Sequence, residues 1–312
     1  FLEYQKLPDP RDSKKSFPVL EIIQDNRVDV LWIVDDSGSM KPIQNNIIRN
    51  AETFMQEFTK IKYLNWKLGL ISTDPTDDTF LGFEEPFDAQ TTAPVEIFKM
   101  AVGSLGASGG NEKVFSNIDK HLSDFDGSNP DRAAFVRRKS HLAIIMVTDE
   151  KEQSRGAKYD PMAFINNLKG RLSPNKNLRF YGALSLDGVG NCRSGDSSQY
   201  PGSPYETVVN ETGGFTIPAC ENFGTRLADI GKDIVSLLDS IKLLLMDRPV
   251  IETLKVFYRG EELPPGSRED GGYWYYDSFS NTINFYSLKF IEDLERDVLE
   301  VDFEIDDGWD RD

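Results

Sequence analysis

A short motif that combines acidic and hydroxyl side chains follows directly after an apolar segment. The motif reads DDSGSM over residues 35–40, and it places Asp35, Ser37 and Ser39 at alternate positions. The apolar segment, VDVLWIV at residues 28–34, is typical of a strand that is covered on both faces of a parallel sheet. One carboxylate with two hydroxyls is a set of hard oxygen ligands, which suits Mg²⁺ or another hard divalent cation such as Mn²⁺ or Ca²⁺.

A second apolar segment brings another carboxylate to the same place. The run LAIIMVT at residues 142–148 ends directly before Asp149. Ligands of open α/β sheets bind at the carboxyl ends of the strands, so we expect Asp149 and the 35–40 motif to meet at that edge. Two strands that each end in an aspartate indicate a metal site more specifically than either strand alone.

Strands alternate with helices through most of the chain, which indicates a doubly wound, mostly parallel α/β sheet. Pro42 is well placed at the start of a helix, and apolar residues repeat at helical spacing from Ile43 to Ile61. The same kind of spacing predicts a long helix over residues 223–246.

The pattern changes after the sequence DRP at residues 247–249, where apolar residues begin to alternate with polar ones. Alternation with a period of two is typical of strands with one buried face, so we expect a small antiparallel β module over residues 247–312. Residues 1–27 form a predicted leader, with one strand near residues 17–23 that could pair with this module. The main α/β domain is then predicted over residues 28–246.

Composition and charge exclude several classes of function. The chain has 35 Lys and Arg residues against 52 Asp and Glu residues, a net charge of −17, so nucleic-acid phosphates and anionic membrane surfaces would be repelled. Its 39% hydrophobic and 11% aromatic residues support a folded core rather than an acidic disordered tail. The sequence contains no apolar run of about 20 residues that could form a transmembrane segment. With only two histidines, a zinc site or a histidine-based nucleophile is disfavoured.

These motifs resemble those of the von Willebrand factor A family, which includes the integrin I-type domains. The D-x-S-x-S loop of that family is matched by Asp35, Ser37 and Ser39, and its third loop is matched by Asp149. The resemblance covers about residues 28–246. Within the family, the chain resembles exported bacterial proteins. It implies a doubly wound α/β fold.

The second loop of the family supplies a threonine to the metal, but the corresponding segment here, GASGGNEKVF, contains none. We expect Ser108 to take that role, with Asn111 as the alternative. Asp36 and Glu150, which flank the first and third loops, would tune the charge around the ion.

The resemblance further implies a metal-ion-dependent adhesion site. In such a site one coordination position stays open for a Glu or Asp of a partner. We therefore expect a binding module rather than an enzyme, which captures a protein ligand or surface component through an acidic residue. Mg²⁺ is the expected ion, with Mn²⁺ or Ca²⁺ as alternatives.

Three other interpretations remain open at this point. The 35–40 motif could be only an Asx turn followed by a helix cap. The chain could be a scaffold subunit of an envelope complex that binds through the β module. It could also be a metal-dependent phosphohydrolase of the haloacid-dehalogenase type, although that chemistry needs a second Asp at the position of Ser37.

The two cysteines, Cys192 and Cys220, flank a loop rich in Gly and Ser and are predicted to form a disulfide. Such a bond would imply an oxidising compartment, so we expect an exported protein of the periplasm, the cell surface or the secreted fraction. The chain begins at Phe1 rather than Met, which is expected of a processed or trimmed chain. A lipid anchor upstream is compatible with this expectation.

Overall fold

The structure is a computed structural model of the whole chain. It describes residues 15–18, 27–59, 64–76, 80, 86–106, 112–122, 135–137, 140–173, 176–186, 203–221, 223–236, 241–267, 269–286, 291 and 296–306.

Thirteen strands and six α-helices form within the described residues. The strands are β1 Lys15–Pro18, β2 Arg27–Val34, β3 Asn65–Ser72, β4 Phe87–Asp88, β5 Ser140–Thr148, β6 Leu178–Leu184, β7 Thr216–Pro218, β8 Ile241–Leu244, β9 Lys255–Tyr258, β10 Glu261–Leu263, β11 Trp274–Asp277, β12 Thr282–Phe285 and β13 Val298–Asp302. The helices are α1 Lys41–Thr59, α2 Pro94–Ser104, α3 Val114–His121, α4 Pro161–Arg171, α5 Pro204–Glu211 and α6 Gly224–Ser236. Short 3₁₀ turns form at Gly38–Met40, Ala157–Tyr159 and Ile251–Thr253.

The main sheet has six strands in the order β4-β3-β2-β5-β6-β7. All neighbours in it are parallel except β3 and β4, which are antiparallel. The predicted doubly wound, mostly parallel α/β fold is confirmed. The apolar runs at 28–34 and 142–148 form β2 and β5, which are direct neighbours at the centre of this sheet.

Both faces of the main sheet are covered, which explains the continuous apolar runs in its central strands. On one face, Trp32 meets Phe54 and Phe98 edge to face, with ring centroids 5.0 and 5.1 Å apart. On the other face, Phe115 stacks on Phe164 with centroids 4.6 Å apart. The sheet is therefore held rigidly between two apolar layers, and its strand ends are fixed positions on which a site can be built.

The opposite end of the sheet is held by a buried ion pair. Asp29 is the third residue of β2, near the amino end of the strand, and has no solvent exposure. Its carboxylate accepts hydrogen bonds from the backbone N–H of Arg137 at 2.7 Å and from Arg137 Nε at 2.8 Å. Burial raises the pKa of Asp29, and the charge of Arg137 opposes that shift.

The helix predicted over residues 223–246 is wrong in its second half. The helix α6 ends at Ser236, and residues 241–244 form strand β8, which pairs antiparallel with β12. Leu243 and Leu245 are buried whereas Leu244 is 60% exposed, so burial alternates with a period of two. The apolar residues of this run fit both helical spacing and strand alternation. Pairing with the distant strand β12 makes residues 241–244 a strand.

The chain divides into two compact units, one comprising Asn26–Leu238 and the other combining Phe1–Asp25 with Asp239–Asp312. The second unit contains a four-stranded sheet in the order β1-β13-β9-β10 and a three-stranded sheet in the order β11-β12-β8. The leading strand β1 pairs antiparallel with β13 near the end of the chain. No helix within the described residues is long and apolar enough to cross a membrane.

Gly214 sits where the chain passes closest to the main sheet after α5. A Cβ at this position would lie 1.8 Å from the carbonyl oxygen of Phe180 in β6. We expect Gly214→Ala to lower the free energy of unfolding by about 2 kcal/mol or more, because backbone would have to move. Urea denaturation measures the change.

Gly170 provides the matched control, because a Cβ there would meet nothing within 4 Å. It lies within helix α4, so Gly170→Ala should raise the free energy of unfolding by about 0.5–1 kcal/mol. Equal effects of the two substitutions would contradict the close approach at Gly214.

Candidate metal centre

The carboxyl ends of β2 and β5 carry the first and third acidic loops of the predicted site. The backbone N–H of Asp35 donates to the carbonyl of Val147 at 2.9 Å, which extends the pairing of the two strands by one residue. The chain then turns through the 3₁₀ segment Gly38–Met40 into helix α1. This turn brings Ser37 and Ser39 back over the end of the sheet.

Asp35 is fully buried, and both of its carboxylate oxygens are oriented by hydrogen bonds. Oδ1 accepts the backbone N–H of Ser37 at 2.7 Å, and Oδ2 accepts the hydroxyl of Thr148 at 2.6 Å. Gln44 on the first turn of α1 donates its side-chain N–H to the carbonyl oxygen of Asp35 at 3.1 Å. The carboxylate is therefore held by the first loop and by β5, and the backbone of the same residue is held by α1.

The two serines connect the first acidic loop to the third. The hydroxyl oxygens of Ser37 and Ser39 lie 3.1 Å apart, and Ser39 Oγ donates to Asp149 Oδ1 at 3.2 Å. Ser37 is buried, Asp149 is half-buried and Ser39 is exposed. The four residues that sequence analysis placed in one site are thus brought together, and Ser39 marks the side of the site that opens to solvent.

The second loop contributes a residue that sequence analysis missed. Ser108 and Asn111 lie outside the described residues, so their predicted contact with the ion stays a prediction. Glu112, the next residue, is buried, and its Oε2 accepts a hydrogen bond from the hydroxyl of Thr73. Among the described residues, its other oxygen, Oε1, has no hydrogen-bond partner although it is buried.

Glu112 forms a compact acidic cluster with two residues of the first loop. One carboxylate oxygen from each of Asp35, Asp36 and Glu112 lies within 4.8 Å of the others, and all three residues are buried. Asp36 also accepts the hydroxyl of Thr73 at 3.3 Å, so it turns inward towards β3. Glu150 is half-buried, and its backbone N–H donates to Thr148 Oγ1 at 2.9 Å.

Burial raises the pKa values of three carboxyl groups in the site. Burial raises the pKa of Asp35 to about 6, with a smaller contribution from the charge of Asp149. Burial raises the pKa of Glu112 to about 7, and the charges of Asp35, Asp36 and Glu150 add to the shift. Burial also raises the pKa of Asp149. A cation at this position would relieve the repulsion.

The donor set fits a hard divalent cation. It consists of carboxylate and hydroxyl oxygens, which are the ligands that Mg²⁺, Mn²⁺ and Ca²⁺ prefer. The buried Oε1 of Glu112, which has no partner within the described residues, is an acceptor that such an ion would satisfy. The oxygens of Asp35, Ser37, Ser39 and Asp149 approach the same region from the first and third loops.

Backbone and side-chain hydrogen bonds hold the second and third loops together. The N–H of Gln153 donates to the carbonyl of Glu112 at 3.1 Å, and the N–H of Phe115 donates to Glu152 Oε2 at 3.1 Å. The N–H of Ser116 donates to the hydroxyl of Ser154 at 2.9 Å. These three bonds fix the two loops relative to each other without any ion.

The predicted disulfide remains a prediction, because Cys192 lies outside the described residues. Cys220 follows strand β7, and its sulfur lies 3.0 Å from the hydroxyl of Ser185 at the end of β6. The cysteine is thus placed at the same edge of the main sheet as the acidic loops.

The sequence matches no protein-family model, and no curated protein matches it. Solved structures do match, among them proximal thread matrix protein 1 from the mussel byssus, a von Willebrand factor type A protein from Catenulispora acidiphila and the pilus adhesin SpaC from Lactobacillus rhamnosus GG. The fold is von Willebrand factor A-like. The strand order of the main sheet and the acidic loops at its edge agree with the resemblance found in the sequence.

All three likenesses to this von Willebrand factor A-like chain are distant. The mussel protein is 13% identical over 71% of this chain and 50% of its own, with a TM-score of 0.43. The Catenulispora protein is 12% identical over 98% of this chain and 68% of its own, with a TM-score of 0.41. SpaC is 12% identical over 91% of this chain and 40% of its own, with a TM-score of 0.43. The chain therefore spans half or less of two of these proteins.

We expect the affinity for Mg²⁺ or Mn²⁺ to fall as the pH is lowered from 8 to 5.5. At pH 8 the carboxyl groups of Glu112 and Asp35, with pKa values of about 7 and about 6, are largely ionised, whereas at pH 5.5 both are largely protonated. A cation must displace these protons, so binding at pH 6.5 should release about one proton. Titration calorimetry in two buffers of different ionisation enthalpy measures the release, and Glu112→Gln should reduce it. Binding without proton release or pH dependence would refute the assignment.

Thr148 orients Asp35 from the neighbouring strand, so its loss should weaken metal binding without unfolding the domain. We expect Thr148→Val to lower the affinity for Mn²⁺ by about 10–100-fold, the usual effect of removing a group that orients a ligand. Thr91→Val, in a surface turn where Thr91 accepts the N–H of Asp88, is the control that should leave the affinity unchanged. An unchanged affinity in both variants would contradict the proposed role of Thr148 in orienting Asp35 for metal binding.

Proposed function

We propose that this chain is a divalent-metal-dependent binding module that captures a carboxylate of a protein or surface partner. The observation that carries the proposal is the convergence of three loops on one edge of the sheet. Asp35 and the two serines meet Asp149 through hydrogen bonds, and Glu112 adds a buried carboxylate to the same edge, with its Oε1 unpartnered within the described residues.

In this proposal the role of each residue in the site depends on how deeply it is buried. Asp35 and Glu112 bind the ion from the buried side, where Thr148 and Thr73 orient their carboxylates. The hydroxyls of Ser37 and Ser39 offer oxygen lone pairs nearer the surface, and Asp149 positions Ser39. The partner approaches from the side of Ser39, because that residue is exposed.

The proposed ligand is acidic because of the charge that a bound ion supplies. When bound, a divalent cation offers a local positive charge at an open coordination position, which attracts an anionic oxygen. The chain itself has a net charge of −17, so an acidic partner would be repelled without the ion. Removal of the metal should therefore abolish binding rather than merely weaken it.

We further propose that the protein is exported and acts in the periplasm, at the cell surface or after secretion. The support for this is the pair Cys192 and Cys220, whose predicted disulfide would be stable only in an oxidising compartment. Mg²⁺ is the ion we propose, with Mn²⁺ or Ca²⁺ as alternatives from the same class of hard cations.

The test uses the full chain at high concentration in solution and short peptides displayed densely on a sensor surface, so that a single weak contact is measurable. We expect a peptide with one Asp to bind at least about tenfold more protein with Mg²⁺ or Mn²⁺ than with EDTA. The matched peptide with Asn in place of Asp should not bind in either condition. Asp35→Asn should abolish binding to the Asp peptide while circular dichroism shows an intact fold.

Two results would count against the proposal. If the chain bound metal but did not bind the Asp peptide, it would contain a metal site that does not capture carboxylates. Binding that survives both EDTA and Asp35→Asn would place the ligand site elsewhere on the molecule.

A further inference from the structure

A groove with a volume of about 820 Å³ lies directly beside the acidic cluster. One wall is the start of helix α3, with Lys113 and Ser116, and the other is the third loop from Glu150 to Arg155. Lys113 follows Glu112 in sequence and Glu150 follows Asp149, so the groove begins where the proposed metal ligands end. Its volume is in the range of pockets that bind small ligands and short chain segments.

The walls of this groove are preformed. The hydrogen bonds from the N–H groups of Gln153, Phe115 and Ser116 join its two sides, as described above. The N–H of Ser154 also donates to Glu152 Oε1 at 2.6 Å. A ligand that enters the groove therefore does not have to order the loops, which reduces the entropic cost of binding.

The groove is cationic on a strongly acidic molecule. Lys113, Lys151 and Arg155 line it, whereas the chain as a whole has a net charge of −17. Lys113 and Arg155 form no ion pair with an acidic side chain in the part of the chain that the structure describes. Of the two acidic lining residues, Glu152 accepts backbone N–H groups with both carboxylate oxygens, so it faces the loop rather than the groove.

We propose that this groove binds an acidic peptide segment whose first carboxylate lies at the metal centre and whose second lies against Lys113 and Arg155. The inference rests on the proposed function and deepens it, since it assigns the partner a pair of acidic residues rather than one. A peptide fits better than a uniformly anionic glycan, because Glu150 also lines the groove and would repel a continuous run of negative charge. A peptide can place its carboxylates singly and leave the position near Glu150 uncharged.

The experiment compares peptides with one Asp against peptides with two Asp residues separated by one, two, three or four glycines. Binding to the Mg²⁺-loaded full chain is measured by surface binding and by amide resonances of Gln153 and Ser154. At least one spacing should bind about fivefold or more tightly than the single-Asp peptide, the gain expected from one or two exposed ion pairs. The amide resonances should shift with that peptide and not with the single-Asp peptide.

Charge variants locate the second contact. The double variant Lys113→Gln with Arg155→Gln should lose the fivefold gain while its affinities for Mg²⁺ and for the single-Asp peptide stay unchanged. The control double variant, Lys169→Gln with Arg226→Gln, removes the same net charge from exposed positions on helices α4 and α6 and should keep the gain.

The possible failures are distinct. Absence of metal-dependent binding to any peptide would overturn the proposed function and this inference together. Metal-dependent binding to the single-Asp peptide without a gain at any spacing would overturn only this inference, as would a gain that survives in the Lys113 and Arg155 variant. A sulfated polysaccharide could instead bind more tightly than every peptide and lose that binding in the Lys113 and Arg155 variant. This result would overturn the proposal of a peptide ligand and make a glycan the ligand of the groove.

Discussion

Repulsion between buried carboxylates is the constraint on which the rest of this structure depends. One carboxylate oxygen from each of Asp35, Asp36 and Glu112 lies within 4.8 Å of the others, and all three residues are buried. Two unit charges at such a distance repel each other by on the order of 3–4 kcal/mol near a protein surface. A domain with a stability of about 5–15 kcal/mol retains such a cluster only if the surrounding fold fixes the groups firmly.

The fold supplies that fixation through rigid elements. The central strands β2 and β5 are covered on both faces, so their ends cannot move apart to relieve the repulsion. Hydroxyl groups of Thr73 and Thr148 hold the carboxylates from adjacent strands. The raised pKa values of Asp35 and Glu112 are the consequence, because protonation is the relief that remains to the free protein. Preorganisation and proton uptake are thus two results of the same packing.

The sequence predicts the parts of this arrangement that depend on local pattern. The apolar runs before Asp35 and Asp149 identify two covered strands, and parallel pairing then brings their ends together without further information. Glu112 could not be predicted in the same way, because the threonine that the family has in the second loop favours a hydroxyl or amide side chain at this place. A carboxylate directly before a helix in a glycine-rich loop was the available signal. Strand β8 was missed for a different reason, since its apolar residues fit helical spacing equally well and only a partner 40 residues later decides its form.

The pairing of β1 with β13 has a consequence for the order in which the molecule is made. Lys15 and Val301 are neighbours across this ladder although they lie far apart in sequence, so β1 is synthesised long before its partner. Closing such a long loop costs entropy and delays the contact until β13 has been synthesised. Until then the intervening residues can fold as a self-contained body, and β1 remains an unpaired strand edge open to chaperones or to misassembly with other chains.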